Sequence, residues 1–134
     1  MYSVTRMRHI LVVDDNEINL KLVSDVLECE GMRVSRAFDA PSAEAVLARE
    51  IPDLVLMDIG LPGMDGLTLT RKLKADPRFE AMVIVALTAY AMKGDDQKAF
   101  DAGCDAYITK PVSTRTLAAQ IEDLLAPRGP AAAR

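Results

Sequence analysis

The hydrophobic residues of the chain fall into short runs that alternate with longer amphipathic segments. Runs of strand length that are apolar or β-branched occupy 9–13, 33–38, 53–57, 82–88 and 105–109. Segments with the helical period occupy 16–31, 40–50, 67–76, 93–103 and 113–126, the last with Ser113 as a suitable N-cap. Strict alternation with short connections predicts an α/β fold, because right-handed crossovers then produce a doubly wound parallel sheet. We therefore predict a five-stranded parallel sheet and five helices.

Chemically distinctive residues stand where four of the five predicted strands end: Asp14, Asp15, Asp58, Thr88 and Lys110. In a doubly wound sheet, ligands bind outside the carboxyl ends of the strands, so these side chains are expected to converge. Converging carboxylates repel one another unless a cation lies among them, and oxygen ligands without histidine or thiolate favour Mg²⁺. With a lysine and a hydroxyl donor, they predict a phosphoryl-group site in which a carboxylate is the nucleophile.

Each of these residues also has an ordinary structural role when it is taken alone. An aspartate after a strand is commonly a turn residue or an N-cap, and Asp15 stands where it could cap helix 16–31. Thr88 alone is typical of a strand end, and Lys110 alone of a solvated charge. Their joint placement at the strand ends favours the phosphoryl site over these separate roles.

Composition narrows the class of protein further. The chain has 134 residues, half of them hydrophobic, and a net charge of −4, which together predict one globular domain that does not bind nucleic acid directly. No apolar run is long enough to span a membrane, and no signal peptide is evident. Cys29 and Cys104 lie far apart without a CxxC motif, so we expect buried, inert thiols and a cytoplasmic protein. We expect a flexible leader at 1–7, the domain at 8–126 and a disordered tail at 127–134.

Four segments of the sequence, taken together, resemble the receiver domain of two-component response regulators. They are ILVVDDNEIN, LVLMDIGLPGMDG, IVALTAYAMKGD and YITKP, in the order and at the spacing found in that family. The resemblance covers residues 8–126 and implies the flavodoxin-like strand order 2-1-3-4-5. It also implies that Asp58 is the phosphoacceptor, which takes a phosphoryl group from a histidine kinase or a histidine phosphotransfer protein.

The same resemblance implies the ligands of the metal and the partners of the phosphoryl group. Mg²⁺ would be held by Asp14, Asp15, Asp58 and the backbone carbonyl of Gly60. Lys110 would pair with the phosphoryl oxygens, and its bond to Pro111 is typically cis in the family. Gly60 and Tyr90 differ from the residues that the family often carries there, and both flank the path of the hydrolytic water. We hypothesise that the bulky Tyr90 slows hydrolysis of the aspartyl phosphate.

A coupled movement of two residues is implied as the switch. Thr88 would move toward the phosphoryl group, and Tyr107 would turn inward with it. That movement would remodel the face formed by helix 93–103, strand 105–109 and helix 113–126, and this face would bind a downstream protein. The chain would then be a monomeric switch that phosphorylates and dephosphorylates itself, not an enzyme that turns over external substrates.

The first helix carries a second apolar stripe. At about 100° per residue, Leu20, Val23 and Leu27 face the core, whereas Ile18 and Leu22 fall on the opposite side, next to the predicted site. We interpret Ile18 and Leu22 as a docking patch for the helical bundle of a kinase or phosphotransferase. Scattered apolar surface residues are the alternative interpretation.

Other classes of protein share parts of this pattern. A phosphatase of the haloacid dehalogenase type would need an Asp-x-Asp at the end of its nucleophile strand, and neither DDNE nor DIGL supplies one. A flavin binder would need a Ser/Thr/Gly-rich phosphate loop after its first strand, and here that loop is acidic. A pseudo-receiver that acts only as an interaction module remains open, as does a receiver excised from a hybrid histidine kinase. Because only a short tail follows helix 113–126, we expect a stand-alone regulator without an effector domain.

Overall fold

A computed structural model describes residues 7–59, 66–88, 95–110 and 112–126 of the chain. The strands are β1 His9–Val13, β2 Arg33–Ala37, β3 Leu54–Asp58, β4 Val83–Thr88 and β5 Ala106–Thr109. The helices are α1 Glu17–Cys29, α2 Ala40–Arg49, α3 Gly66–Lys74, α4 Asp95–Asp101 and α5 Leu117–Leu125, with a 3-10 turn at Pro77–Phe79. All strands are parallel, in the order β2-β1-β3-β4-β5. The predicted α/β class and the strand order are confirmed.

Helices cover both faces of the sheet, which is why the central strands are apolar on both sides. Every residue of β1 and β3 is buried. Alternate strand residues enter two separate apolar clusters. One cluster packs Leu11 and Val55 against α2, α3 and α4, and the other packs Ile10 and Leu54 against α1 and α5. The sheet is therefore a layer held between helices, and its strand ends have fixed positions relative to one another.

Two helices begin just after strands because polar side chains cap them. Asn16 accepts the N–H of Asn19 at 3.0 Å, so Asn16, and not Asp15, caps α1. Asp39 and Ser42 form a reciprocal capping box at the start of α2. Both caps fix how the chain turns away from the edge at which the strands end, which we call the carboxyl edge.

Most element boundaries shift by one or two residues from the sequence predictions, and the start of α5 shifts by four. Strand β3 runs from Leu54 through Asp58, so the predicted nucleophile stands at the strand end, where the sequence analysis places it. Helix α5 begins at Leu117, and the prediction of Ser113 as its side-chain cap is wrong. A turn precedes the helix instead, in which the carbonyl of Ser113 accepts the N–H groups of Thr116 and Leu117.

The two cysteines are free thiols in different environments. Cys104 is buried, as predicted, and burial raises the pKa of its thiol above the ordinary value. Cys29 is exposed, so the prediction of a buried thiol is wrong at that position. It is the last residue of α1, and the core-facing stripe of that helix ends at Leu27.

Several predictions concern positions outside the described residues. These are the leader apart from Met7, the start of helix 93–103, the tail 127–134, Gly60, Tyr90 and Pro111. Among the helices that are described, none combines the length and the apolar character needed to cross a membrane.

We call the opposite edge of the sheet, where the strands begin, the amino edge. Acidic side chains at this edge accept hydrogen bonds from backbone N–H groups. Asp53 lies just before β3 and accepts the N–H of His9 at 2.9 Å. Asp105 lies just before β5 and accepts the N–H of Ile84 at 2.8 Å. Lys74, the last residue of α3, donates to Asp105 at 2.8 Å. Each carboxylate thereby satisfies a backbone donor at the start of a neighbouring strand.

Candidate functional site

Three carboxylates meet at the carboxyl edge of the sheet. Asp14 follows β1 directly, Asp15 is the next residue, and Asp58 ends β3. One oxygen atom from each of the three lies within 4.8 Å of the others. Asp14 and Asp58 are buried, and Asp15 is exposed. The predicted convergence of these residues is therefore present in the fold.

Strand register and a helix start place the first of these carboxylates. Val13 pairs with Met57, so the residues that follow them, Asp14 and Asp58, stand side by side. The N–H of Asp14 donates to the carbonyl of Ala37 in β2 at 3.0 Å. Its Oδ1 atom accepts the N–H of Asn16 at 2.9 Å. The second oxygen, Oδ2, is left facing Asp58 and the end of β5.

Lys110 brings a positive charge between the two buried carboxylates. Its Nζ atom lies 3.1 Å from Oδ2 of Asp14 and donates to Oδ2 of Asp58 at 3.1 Å. Burial by itself would lower the pKa of Lys110, but the Asp14 and Asp58 carboxylates outweigh burial and raise that pKa above its ordinary value. The backbone N–H of Lys110 donates to the carbonyl of Thr88 at 2.6 Å, which anchors the base of the lysine to β4.

The negative charge at this edge is not fully compensated by Lys110, so the edge could bind a further cation. Among the described residues, nothing donates a hydrogen bond of normal geometry to Oδ2 of Asp14, although this atom is buried. Burial raises the pKa of Asp14 above its ordinary value, more than the N–H of Asn16 and the charge of Lys110 lower it. Among the described residues, Lys110 pairs with Asp14 and Asp58, Asp15 completes the group of three carboxylates, and all of these donor atoms are hard oxygens. This donor set fits Mg²⁺.

The two residues of the predicted switch lie on β4 and β5. Thr88 is the buried last residue of β4, one position beyond Leu87, which pairs with Asp58. Thr88 therefore stands at the same edge as the carboxylates. Tyr107 is half-buried on β5, is paired with Ala86, and packs against the cluster beneath α3 and α4. The movement predicted for these two residues stays a prediction.

The predicted docking residues are exposed, and one of them borders the site. Ile18 is 78% exposed and Leu22 is 45% exposed, whereas Val23 is buried on the other side of α1. Leu22 lines a hollow of about 50 Å³ together with Asp14 and Lys110. The exposure predicted for both residues is confirmed, and Leu22 lies next to the site as predicted, whereas the docking role stays a prediction.

Asn16 is a site residue that the sequence analysis did not identify. Its backbone N–H orients Asp14, while its side chain caps α1, so one residue joins the strand end to the helix start. An asparagine just before Glu17 is a recognisable cap signal. What it does for Asp14 follows from the geometry of the turn and not from residue type.

Comparisons with known proteins agree with this geometry. The family described as the response regulator receiver domain matches residues 10–122. The chain is 41% identical over 106 residues to the polar-differentiation response regulator DivK of Brucella anthropi, covering 79% of this chain and 86% of that protein. It is 42% identical over 115 residues to the response regulator PleD of Caulobacter vibrioides, covering 86% of this chain but only 25% of PleD. The chain thus spans about a quarter of the length of PleD.

A solved structure is similar over almost the whole fold. It is the receiver domain of the sensor histidine kinase PA1611 from Pseudomonas aeruginosa, described with a magnesium ion coordinated in its active-site cleft. The two chains are 31% identical, with a TM-score of 0.82 and coverage of 91% of this chain and 100% of that one.

Proposed function

The chain belongs to the response regulator receiver domain family, and from that premise we propose that it is a phosphoacceptor in a two-component phosphorelay. The observation that carries the proposal is the convergence of three carboxylates and Lys110 at the end of β3. Asp58 is the proposed nucleophile, and a histidine kinase or a histidine phosphotransferase is the proposed donor. Residues Leu54 to Met57 of β3 are paired on both sides, and Asp58 at the strand end is paired with Leu87 of β4, so the strand holds a nucleophile more rigidly than a loop does.

The proposed reaction is the transfer of a phosphoryl group from histidine to aspartate. An oxygen of Asp58 attacks phosphorus, a P–O bond forms, and the P–N bond breaks. The electron pair of that bond leaves with the imidazole nitrogen of the donor. Lys110, which already donates to Asp58, is placed to pair with a phosphoryl oxygen as charge develops there.

Asp14, Asp15 and Asp58 are the proposed Mg²⁺ ligands, together with the carbonyl of Gly60 that the family resemblance implies. The buried Oδ2 atom of Asp14, which faces Lys110 but accepts no hydrogen bond of normal geometry from the described residues, supports this assignment. When bound, the ion would neutralise charge on the phosphoryl oxygens during transfer. Asp14 would be held in its binding orientation by the N–H of Asn16.

The output of the proposed switch is a change in binding surface. Thr88 and Tyr107 would move together and alter the face formed by α4, β5 and α5, to which a downstream protein binds. Ile18 and Leu22 are exposed on α1, Leu22 borders the site, and the pair is the proposed contact for the helical bundle of the donor. The proposed protein is a monomeric cytoplasmic switch and not a turnover enzyme. Its two free thiols fit a reducing compartment.

Intact-mass spectrometry after incubation with acetyl phosphate and Mg²⁺ tests the proposal. We expect the parent protein to gain one phosphoryl group, and we expect no gain for Asp58→Asn or for the parent protein in chelator. A gain that persists in Asp58→Asn would refute Asp58 as the acceptor. If the parent protein gains nothing from acetyl phosphate and binds no beryllofluoride, the pseudo-receiver interpretation replaces this one.

A further inference from the structure

The first turn of α3 lies directly against the backbone of the strand end that carries Asp58. A Cβ atom placed on Gly66 would lie 2.2 Å from the carbonyl oxygen of Asp58 and 2.8 Å from the Cα atom of Ile59. Carbon atoms do not approach protein backbone this closely, so the position admits only glycine. Among the described glycines, positive φ angles occur at Gly31 and Gly103, so lack of space, and not backbone conformation, imposes glycine at position 66.

Two hydrogen bonds fix the backbone of Gly66, one to the residue after β3 and one within α3. The N–H of Gly66 donates to the carbonyl of Ile59 at 3.4 Å, which ties the helix start to the residue after the strand. The hydroxyl of Thr70, one turn later, donates to the carbonyl of Gly66 at 2.7 Å. Gly66 and Thr70 are both buried. The helix start is therefore a fixed support for the end of β3.

If the start of α3 moved away from β3, the residue of the strand that would shift most is Asp58. Leu54 to Met57 are paired with both β1 and β4, which hold most of the strand in register without help from α3. Asp58 is the last strand residue, paired with Leu87 of β4, and its backbone is what Gly66 touches. Its carboxylate must remain within reach of Lys110 and of the other two carboxylates.

We propose that Gly66 is a positioning residue for the phosphoryl-transfer reaction, because its lack of a side chain lets α3 set the place of the Asp58 nucleophile. This inference rests on the function proposed above. Gly66 acts only through the backbone of Asp58 and of Ile59. A side chain at position 66 would force α3 and the end of β3 apart, and Asp58 would move relative to Lys110.

The test compares Gly66→Ala with Arg71→Ala, an exposed position on the same helix. Phosphorylation by acetyl phosphate is followed by intact mass at saturating donor and Mg²⁺, on samples shown by circular dichroism to be fully folded. We expect the rate constant of Gly66→Ala to fall by roughly 10- to 100-fold, the loss that follows misplacement of a reacting group by about 1 Å. Arg71→Ala should react at the parent rate.

The rate constant separates positioning from a general loss of structure. A merely structural role would reduce the fraction of protein that reacts and leave the rate constant of the folded molecules unchanged. A folded Gly66→Ala protein that reacts at the parent rate would overturn this inference alone. If the parent protein itself takes no phosphoryl group from any donor, the proposed function falls and this inference falls with it.

A second pair of variants decides the matter if Gly66→Ala does not fold. Thr70→Val removes the hydroxyl that holds the carbonyl of Gly66, and Thr70→Ser keeps it. We expect Thr70→Val to be phosphorylated several-fold more slowly than Thr70→Ser, with Thr70→Ser close to the parent protein. Equal rates for the two variants would contradict a positioning role for this helix start.

Discussion

The two edges of the sheet carry the same kind of residue in opposite electrostatic situations. At the amino edge, Asp53 and Asp105 accept backbone N–H groups from neighbouring strands, and Asp105 also receives Lys74. At the carboxyl edge, Asp14 and Asp58 face each other and share Lys110, and one buried oxygen of Asp14 accepts no normal hydrogen bond from the described residues.

The contrast separates the acids that stabilise the fold from the acids of the proposed Mg²⁺ site. A carboxylate that satisfies a strand donor contributes to stability, because the donor would otherwise be buried without a partner. A buried carboxylate that faces other carboxylates costs stability, since desolvation and repulsion both oppose its charge. Acids of the second kind persist where they bind something that the folded chain alone does not supply. This reasoning predicts opposite stability changes when acids at the two edges are neutralised.

The largest expected effect on stability comes from Asp105→Ala at the amino edge. This change removes the acceptor of the Ile84 N–H and the partner of Lys74. We expect a loss of about 2 kcal/mol in the free energy of unfolding, mostly from the unsatisfied backbone donor. Urea denaturation measures it, with Asp123→Ala as a control that removes an exposed charge from α5. An equal loss in the two variants would show that charge, and not the strand donor, matters.

The next effect has the opposite sign and comes from Asp14→Asn at the carboxyl edge. Because burial disfavours the charged form of Asp14, we expect the metal-free protein to gain on the order of 1 kcal/mol. Added Mg²⁺ should reverse the order, since a bound ligand stabilises the parent protein and not a variant that has lost one metal ligand. Thermal melting in chelator and in Mg²⁺ measures both effects.

Asp15→Asn is the matched control for that experiment. It removes the same charge from the neighbouring residue, but Asp15 is exposed, so little change is expected in chelator. Destabilisation of Asp14→Asn in chelator as well as in Mg²⁺ would contradict the argument that this acid costs stability.

The positions of the site acids were predictable from the sequence because they depend on strand ends. An apolar run followed by Asp14 or Asp58 indicates both the strand and its last residue, and parallel strands bring their ends to one edge. Contacts made across the chain were not predictable in this way. Gly66 meets the backbone of Asp58 only after α3 has packed, and a glycine at that place in a sequence is equally typical of a turn or a loop.

Local competition accounts for the boundary errors. Ser113 is a good cap residue, but a turn occupies the positions after it, so α5 starts later. Asn16 and Asp15 are both suitable caps, and only the turn geometry selects Asn16. His9 received no role because its partners, Ser35 in β2 and Glu50 after α2, come from other segments of the chain.

His9 makes the stability of the amino edge depend on pH. It is buried, and its ring lies 2.8 Å from the hydroxyl of Ser35. Burial is the main cause that lowers the pKa of His9, and the charge of Arg33 lowers it further. The charges of Glu50 and Asp53 raise this pKa but do not outweigh burial. A lowered pKa means that the unfolded chain binds the proton more tightly than the folded chain. Stability is therefore complete above the unfolded pKa of about 6.5 and declines as the pH falls below it.

The difference between the parent protein and His9→Gln isolates this contribution. We expect the parent protein to lose more stability than the variant between about pH 7.5 and pH 5.5, by less than about 1 kcal/mol. Urea denaturation at both pH values measures the loss. Because the chain has a single histidine, its NMR titration reports the folded pKa directly. A titration midpoint above the ordinary value would contradict the sign.

The smallest effect separates the two roles of Asp105. Lys74→Met keeps an unbranched apolar chain near Gly103 but removes the ion pair with Asp105 and a long hydrogen bond to the carbonyl of Met82, while Asp105 remains bonded to the Ile84 N–H. Because the Asp105 side chain is 42% exposed, solvent screens the pair, and we expect a loss of about 0.5 kcal/mol in urea denaturation. The loss should therefore be a small part of that in Asp105→Ala. If the two variants lost equal stability, the ion pair and not the Ile84 N–H would account for the contribution of Asp105, and Asp105 would then differ from the carboxyl-edge acids mainly in having a closer cation.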